Sequence, residues 1–152
     1  MQQAIEEPEL GWRVLITLNA FRLLISTAFL LLFAIGSEPR FFGDAKPTLF
    51  AASAAGYLVF AILSAVALRQ QWVPRTALAV TQLTADIVAI ALLMHASGGL
   101  SSGLGGLLVI FIGAGSLVMP MTMAATMAAL ATFAILGEQV YTQITSLATG
   151  AN

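Results

Sequence analysis

The stretch TADIVAIALLMHASGGLSSGLGG, residues 84–106, joins a strongly apolar helical segment to a run of glycines and serines. Asp86 lies inside the apolar part, and His95 lies at its end, just before the glycines. A charged side chain within such a segment is costly in a membrane unless it has a partner. The position of Asp86 therefore implies a basic partner elsewhere in the chain.

The composition of the chain is that of a membrane protein. Hydrophobic residues make up 59% of its 152 residues, charged residues only 9%, and the mean hydropathy is +0.95. A soluble domain carries about 25% charged residues, so this chain could not cover a soluble fold with polar groups. The absence of cysteine from the sequence excludes disulfides and thiolate metal sites, and a net charge of -1 without a basic run argues against nucleic acid as a partner.

The apolar segments predict an all-α, polytopic bundle of about five transmembrane helices. A helix needs about 20 apolar residues to cross a bilayer core of about 30 Å. The expected spans are residues 14–36, 48–68, 76–96, 104–118 and 121–137. Pro120 separates the last two, which would be about 50 Å long as a single helix. One kinked and tilted helix remains an alternative for that region.

The distribution of basic residues predicts the orientation of the bundle in the membrane. Arg13 precedes the first span, and Arg69 and Arg75 flank the turn after the second, whereas the loop over residues 37–46 balances two basic against two acidic residues. The positive-inside rule then favours a cytoplasmic N-terminus and a cytoplasmic 69–75 turn. With five spans, the C-terminal tail is expected on the outside.

Arg22 is the expected partner of Asp86. Both residues lie eight to ten residues into their spans, which corresponds to a similar depth of about 12–15 Å. Asn19 and Ser26 share the helix face of Arg22, and Gln82 shares that of Asp86. We expect an intramembrane ion pair with these polar side chains in the bundle interior. Such a pair could simply fix the helix register, or it could form a polar switch or part of a transport path.

His95 is the only histidine of the chain. It lies nine residues from Asp86, which places the two side chains on opposite faces of the helix. It therefore forms no dyad with Asp86, and no cofactor is expected, because a lone histidine lacks the companions that a metal or haem site needs. A capping or interfacial role is favoured, in which His95 could still be pH-sensitive and respond to external acidity. For Glu138, at the end of the fifth span, we expect an interfacial carboxylate.

The glycine-rich loop after His95 lacks the lysine of a phosphate-binding loop. Its small residues either allow close helix contact or form a short hairpin, partly re-entrant and sheltered by protein. These residues are Gly98, Gly99, Ser101, Ser102, Gly103, Gly105 and Gly106. Small residues also repeat four apart at Ala52 and Gly56, as a packing or docking surface, and no catalytic constellation is found.

Three parts of the chain resemble the N-terminal membrane domain of PilS-type sensor histidine kinases, which regulate type IV pili. They are the Asn19–Arg22 stripe, the T-A-D motif at residues 84–86, and ASGGLSSGLGGLLV at residues 96–109. The resemblance implies an inner-membrane sensory domain of six helices that belongs to a two-component kinase, usually a dimer. It also implies that the domain detects the hydrophobic helix of the major pilin within the bilayer and thereby controls pilin transcription.

The chain departs from this family pattern in two respects. It carries five predicted spans, so the sixth is absent, and it carries no kinase domain, so no catalytic residue can be transferred. Whether the protein acts as an enzyme is therefore uncertain, and the expected role is sensing. The partners expected are the lipid bilayer, a pilin transmembrane helix and a second copy of the chain. A small transporter or channel component, or a truncated remnant, remains an alternative.

Overall fold

The computed structural model describes residues 3–36, 43, 45–71, 73–148 and 150, with side chains from residue 11 onward except Leu100 and Ser101. These ranges are helical and contain no β-strand, which confirms the all-α prediction. The helices are α1 Gln3–Ile35, α2 Pro47–Gln70, α3 Arg75–Ala96, α4 Gly105–Gly115 and α5 Met121–Ala148. Most of residues 37–46, the loop with the balanced charges, lie outside the described residues.

Within the described residues, four helices are long and apolar enough to cross a membrane: Gly11–Ile35 of α1, α2, α3 and α5. Their outward faces carry large apolar side chains, such as Leu24, Leu63 and Phe133, with 65%, 63% and 74% of their surface exposed. Such faces are unfavourable in water and suit contact with lipid. The chain is therefore a multi-pass helical membrane protein.

Neighbouring helix ends define the two ends of the bundle. At one end, which we call the Arg75 end, a Cβ built on Gly11 would lie 3.0 Å from Nη1 of Arg75. At the other, the His95 end, the backbone N–H of Lys46 donates to the carbonyl of Ala96 at 3.0 Å. Thus α1 and α3 run in the same direction, and α2 runs antiparallel to both.

The fourth crossing differs from the sequence expectation. Instead of a span over residues 104–118, α4 has 11 residues. It is therefore about 16 Å long, too short to cross the bilayer core alone. The polypeptide nevertheless runs from end to end. Gly99 lies at the His95 end, where its built Cβ would be 3.6 Å from Oγ1 of Thr142, and Val118 lies at the Arg75 end, 3.8 Å from the Cβ position of Gly11.

The Pro120 region contains a turn, not a continuous helix. Residues 116–120 separate α4 from α5, and the N–H of Ala124 donates to the carbonyl of Pro120 at the start of α5. The single kinked helix is therefore excluded. At its other end α5 continues to Ala148, well beyond residue 137. Apolar character marks where a membrane core ends, whereas the helix continues because residues 138–148 contain neither proline nor glycine.

α3 is the central helix of the bundle. It contacts α1, α2, α4 and α5. Its buried side chains recur at helical spacing and include Leu78, Leu83, Ile87, Ile90 and Leu93. By contrast, Ala131 is the one residue of α5 that is fully buried among those described. This arrangement places Asp86 on the helix that touches most of the fold.

Candidate functional site

Arg22 and Asp86 form a bidentate ion pair in the bundle interior. Nε of Arg22 donates to Oδ1 of Asp86 and Nη2 donates to Oδ2, each at 2.5 Å. Both side chains are 1% exposed. A planar guanidinium matched to a carboxylate in this way gives the strongest geometry available to such a pair.

The pair forms because α1 and α3 run parallel in matching register. Gly11 lies beside Arg75 at one end, and Arg22 and Asp86 each follow eleven residues later along their helices. At 1.5 Å per residue the pair lies about 16 Å from the Arg75 end. Asp86 is thus near the middle of the 22-residue α3, at the depth where an unpaired charge is most costly.

Tyr57 of α2 is a third member of the site that the sequence reasoning missed. Its hydroxyl donates to Oδ1 of Asp86 at 2.7 Å, and the residue is 3% exposed. The sequence carried a signal, because Tyr57 is the one tyrosine of the span over residues 48–68. A buried tyrosine usually hydrogen-bonds through its hydroxyl, so its burial implied a partner.

Phe111 of α4 completes the surroundings of the guanidinium. The Cζ of Arg22 lies 5.5 Å from the centre of the Phe111 ring, a cation–π distance, and Phe21 packs on the same ring. No sequence pattern pointed to this contact, because nothing distinguishes Phe111 from other apolar residues of its segment. The site therefore joins side chains from four helices, α1 to α4.

The polar residues expected around the pair differ in what they contact. Asn19 donates through Nδ2 to the carbonyl of Ala61 at 3.2 Å and accepts from Nη1 of Arg22 at 3.4 Å. Ser26 is turned to its own helix, where its hydroxyl donates to the carbonyl of Arg22 at 2.9 Å. Asn19 thus links α1 to the backbone of α2, whereas Ser26 satisfies itself locally.

Gln82 is buried without a hydrogen-bond partner among the described residues. It is 2% exposed, and neither Nε2 nor Oε1 has a partner. It lies one helical turn from Asp86 on the same face, as the sequence spacing predicts. An unsatisfied amide in a bundle interior costs free energy, so the chain is not optimised for stability at this position.

The buried pair is stable only as a pair. Removing two charges from water costs several kcal/mol per ion, which the mutual attraction and additional hydrogen bonds must offset. Asp86 accepts from both Arg22 and Tyr57, and Arg22 also donates to Asn19. A change at one member therefore affects contacts of α1, α2 and α3 together.

A groove between α2 and α3 reaches this site from the outer surface. It has a volume of about 410 Å³, and Tyr57 forms part of its wall. Most of the other lining residues are small or apolar: Ala52, Ser53, Gly56, Phe60, Ala85, Val88, Ala89 and Leu92. Tyr57 therefore lies between a surface groove and the carboxylate of Asp86.

His95 is not part of the Arg22–Asp86 site and lies at the opposite end of α3. It contacts Lys46 and Glu138, each at 2.8 Å, and packs edge-on against the Tyr141 ring. From the sequence, His95 and Glu138 are expected as two separate interfacial residues, and the structure brings them into contact. Among the described residues, no three histidine, aspartate or glutamate side chains are placed to hold a metal ion.

The glycine-rich loop forms a turn at the His95 end, with a 3₁₀ helix at Gly99–Ser102. Gly98, Gly99 and Gly103 have φ angles of 89°, 81° and 72°, a region that residues with a Cβ rarely adopt. Gly105 and Gly106 open α4, and the Ser102 hydroxyl donates to the carbonyl of Gly99 at 2.7 Å. Glycine is thus required here for chain reversal. The side chain of Ser101 lies outside the described residues.

Comparison with known proteins identifies the family. The family model of the PilS-like transmembrane domain matches residues 5–152. A search of curated proteins and a search of solved structures found no match. The match covers nearly all of the chain, including every residue of the buried site. The chain therefore belongs to the family of PilS-like transmembrane domains, which are membrane sensory domains.

Proposed function

We propose that this chain is the sensory input domain of a two-component histidine kinase and that it recognises the transmembrane helix of pilin in the bacterial inner membrane. The observation that carries the proposal is the position of Tyr57. Tyr57 forms part of the wall of the α2–α3 groove, and its hydroxyl donates to Asp86. Membership of the PilS-like family supports the proposal.

The groove has the composition that favours a helix as its occupant. Ala52, Ser53 and Gly56 line its α2 side, and Ala85 and Ala89 line its α3 side. Small residues four apart let two helix backbones approach closely, which is the main source of helix association in lipid. A Cβ built on Gly56 would meet nothing within 4 Å, so the groove is open at this point.

An occupied groove would act on the ion pair through Tyr57. A helix seated between α2 and α3 would press on the Tyr57 ring and change the geometry of its bond to Asp86. Because Asp86 also holds Arg22, the position of α1 relative to α3 would change as well. The positions of α1 with the groove empty and with the groove occupied would be the two conformational states to which an output domain responds.

The basic residues support an orientation with the N-terminus in the cytoplasm. Arg13 of α1, Arg69 of α2 and Arg75 of α3 all belong to the same end of the antiparallel bundle. The positive-inside rule assigns this end to the cytoplasm. The His95 end would then face the outside. A homodimer remains a prediction from the family resemblance.

Site-specific cross-linking tests the proposed recognition. A photoreactive residue replaces Gly56 in the groove or Leu63, which is 63% exposed on the same helix but does not line the groove. We expect a cross-link to pilin from position 56, and little or none from position 63, in cells that make pilin. Equal cross-linking from the two positions, or none from position 56, would refute recognition at this groove.

A transport path is the alternative reading of the same polar residues, and the unpartnered Gln82 is the observation that favours it. The cysteine-free sequence permits a direct test by single cysteines at Gln82 and Ser26, two buried polar positions whose replacement leaves the Arg22–Asp86 pair intact. A sealed sensor predicts that membrane-impermeant thiol reagents label neither position. Rapid labelling of both would favour a water-filled path over a sensor.

A further inference from the structure

A second polar cluster joins three parts of the chain at the His95 end. Nζ of Lys46 lies 2.8 Å from Nε2 of His95, and Nδ1 of His95 lies 2.8 Å from Oε1 of Glu138. Thr142 also donates to Oε1 of Glu138 at 3.3 Å. Lys46 directly precedes α2, His95 lies in the last turn of α3, and Glu138 lies on α5. We call Lys46, His95 and Glu138 the His95 latch.

The chemistry of its members fixes the proton on the imidazole ring. A lysine ammonium can only donate, so Nε2 of His95 must accept from Lys46. The neutral ring then carries its proton on Nδ1, which donates to Glu138. The latch as it stands therefore requires a neutral histidine in the Nδ1–H form.

We infer that the His95 latch is a pH-sensitive contact that releases Lys46 when the imidazole takes up a second proton. That proton must bind at Nε2, the atom that accepts from Lys46, because Nδ1 already carries one. Nζ of Lys46 and Nε2 of His95 would then both be donors on positively charged groups, at a separation that now fits a hydrogen bond. Lys46 must therefore leave, whereas the contact of His95 with Glu138 becomes an ion pair.

The location of the latch allows protons to reach it. His95 and Glu138 are 24% and 14% exposed, unlike the sealed Arg22–Asp86 pair. Among the described residues, the titratable groups that face His95 are Lys46, Glu138 and Tyr141. When His95 is doubly protonated, the contact among Lys46, His95 and Glu138 is reduced to the contact between His95 and Glu138, which joins α3 to α5.

Release of Lys46 loosens a defined part of the fold. The segment before α2 is also held by the bond from the N–H of Lys46 to Ala96 and by the bond from the N–H of Gly43 to Oγ of Ser97 at 3.0 Å. These bonds tie it to α3 alone. The Lys46 side chain adds an indirect link through His95 to Glu138 of α5, so its release removes that link and leaves the segment held by the two backbone N–H bonds.

The latch lies apart from the α2–α3 groove at Tyr57, and its test requires no pilin. The latch can therefore be correct even if pilin recognition is refuted, and pilin recognition can be correct even if the latch is refuted. The single histidine makes the first measurement direct, because ¹⁵N-histidine labelling yields the ring signals of His95 alone. Over a pH series in lipid nanodiscs, we expect the neutral ring to be in the Nδ1–H form. A neutral ring in the Nε2–H form would overturn the assignment.

A distance measurement tests the release itself. Spin labels on cysteines at Thr48 and Gln143, which are both exposed, report the separation of the start of α2 from α5. We expect longer distances in samples whose ring signals show the doubly protonated form than in samples that show the neutral form. The variant His95→Gln serves as control, because its amide can accept from Lys46 and donate to Glu138 at either pH. The same pH response in that variant, or none in the native sequence, would refute the latch.

Discussion

The hydroxyl of Tyr57 donates to Oδ1 of Asp86 at 2.7 Å, and the same oxygen accepts from Nε of Arg22 at 2.5 Å. One carboxylate oxygen therefore joins α2, α3 and α1. Because Tyr57 also forms part of the wall of the α2–α3 groove, one hydrogen bond connects that wall to the buried charge pair. This relationship makes Tyr57 the first residue to change.

Replacement Tyr57→Phe removes the hydroxyl and leaves the ring in the groove. We expect a loss of about 0.5–1.5 kcal/mol in the free energy of unfolding, because one buried bond to a charged acceptor is lost. Denaturant titration in bicelles measures this. Tyr141→Phe is the matched control, since Tyr141 is 53% exposed, and it should change little. Equal effects of the two changes would contradict the role of the Tyr57 hydroxyl.

Replacement Asp86→Ala leaves Arg22 buried without its counterion. We expect destabilisation of about 3–5 kcal/mol, and thus little folded protein in membranes, because the arginine is 1% exposed and cannot reach water. The double change Arg22→Met with Asp86→Leu removes both charges and should recover most of the loss. A double variant as unstable as Asp86→Ala would show that the pair itself supplies the stability.

The same double variant separates a structural pair from a switch. If Arg22 and Asp86 only fix the helix register, a folded apolar replacement should keep signalling in a complete sensor that carries a kinase. If the pair transmits the state of the groove, signalling should become independent of pilin. A reporter for pilin transcription measures the outcome, with membrane abundance determined in parallel.

Gln82 and Asn19 should respond oppositely to apolar replacement. Gln82→Met removes two unpaired polar atoms and should stabilise the protein by about 1 kcal/mol. Asn19→Leu removes the bonds to Ala61 and Arg22 and should destabilise it by about 1–3 kcal/mol. Unfolding titrations of the two variants provide the test. Destabilisation by Gln82→Met would indicate that the native amide binds water in the interior.

The short α4 packs closely on α3 through Gly115. A Cβ built there would lie 3.3 Å from Cδ2 of Leu83, whereas one built on Gly113 would meet nothing within 4 Å. Gly115→Val should therefore cost about 1–3 kcal/mol by overpacking, and Gly113→Val should cost little. Thermal unfolding of the two variants compares them directly. A larger effect at Gly113 would contradict this packing of α4.

Sequence reasoning predicted the helical membrane bundle because hydropathy and length alone decide where apolar helices form. It also predicted that Asp86 would need Arg22, because an unpaired charge at this depth is too costly and the choice of basic partners within spans was small. The structure brings these two residues together. In the structure α4 has only 11 residues. Hydropathy could not reveal this short length, because the turn residues that follow α4 are also apolar and extend the apolar segment beyond the helix.

Other contacts could not be predicted, because they depend on which helix faces are neighbours. Phe111 is an ordinary apolar-span residue until α4 is placed beside α1, and the partner of the Tyr57 hydroxyl is known only once α2 is placed beside α3. Lys46 and Glu138 are far from His95 in sequence, and only the packing of α5 on α3 makes them a cluster.

The sequence by itself thus determined that the protein is a helical membrane bundle and that two of its charges must meet, since both follow from the cost of placing polar groups in lipid. The tertiary structure decided what surrounds those charges. The parallel register of α1 and α3 brings Arg22 to Asp86, and the packing of α2 adds Tyr57 and a groove beside it. Interhelical packing in lipid depends on shape at many weak contacts, and no single residue type encodes it.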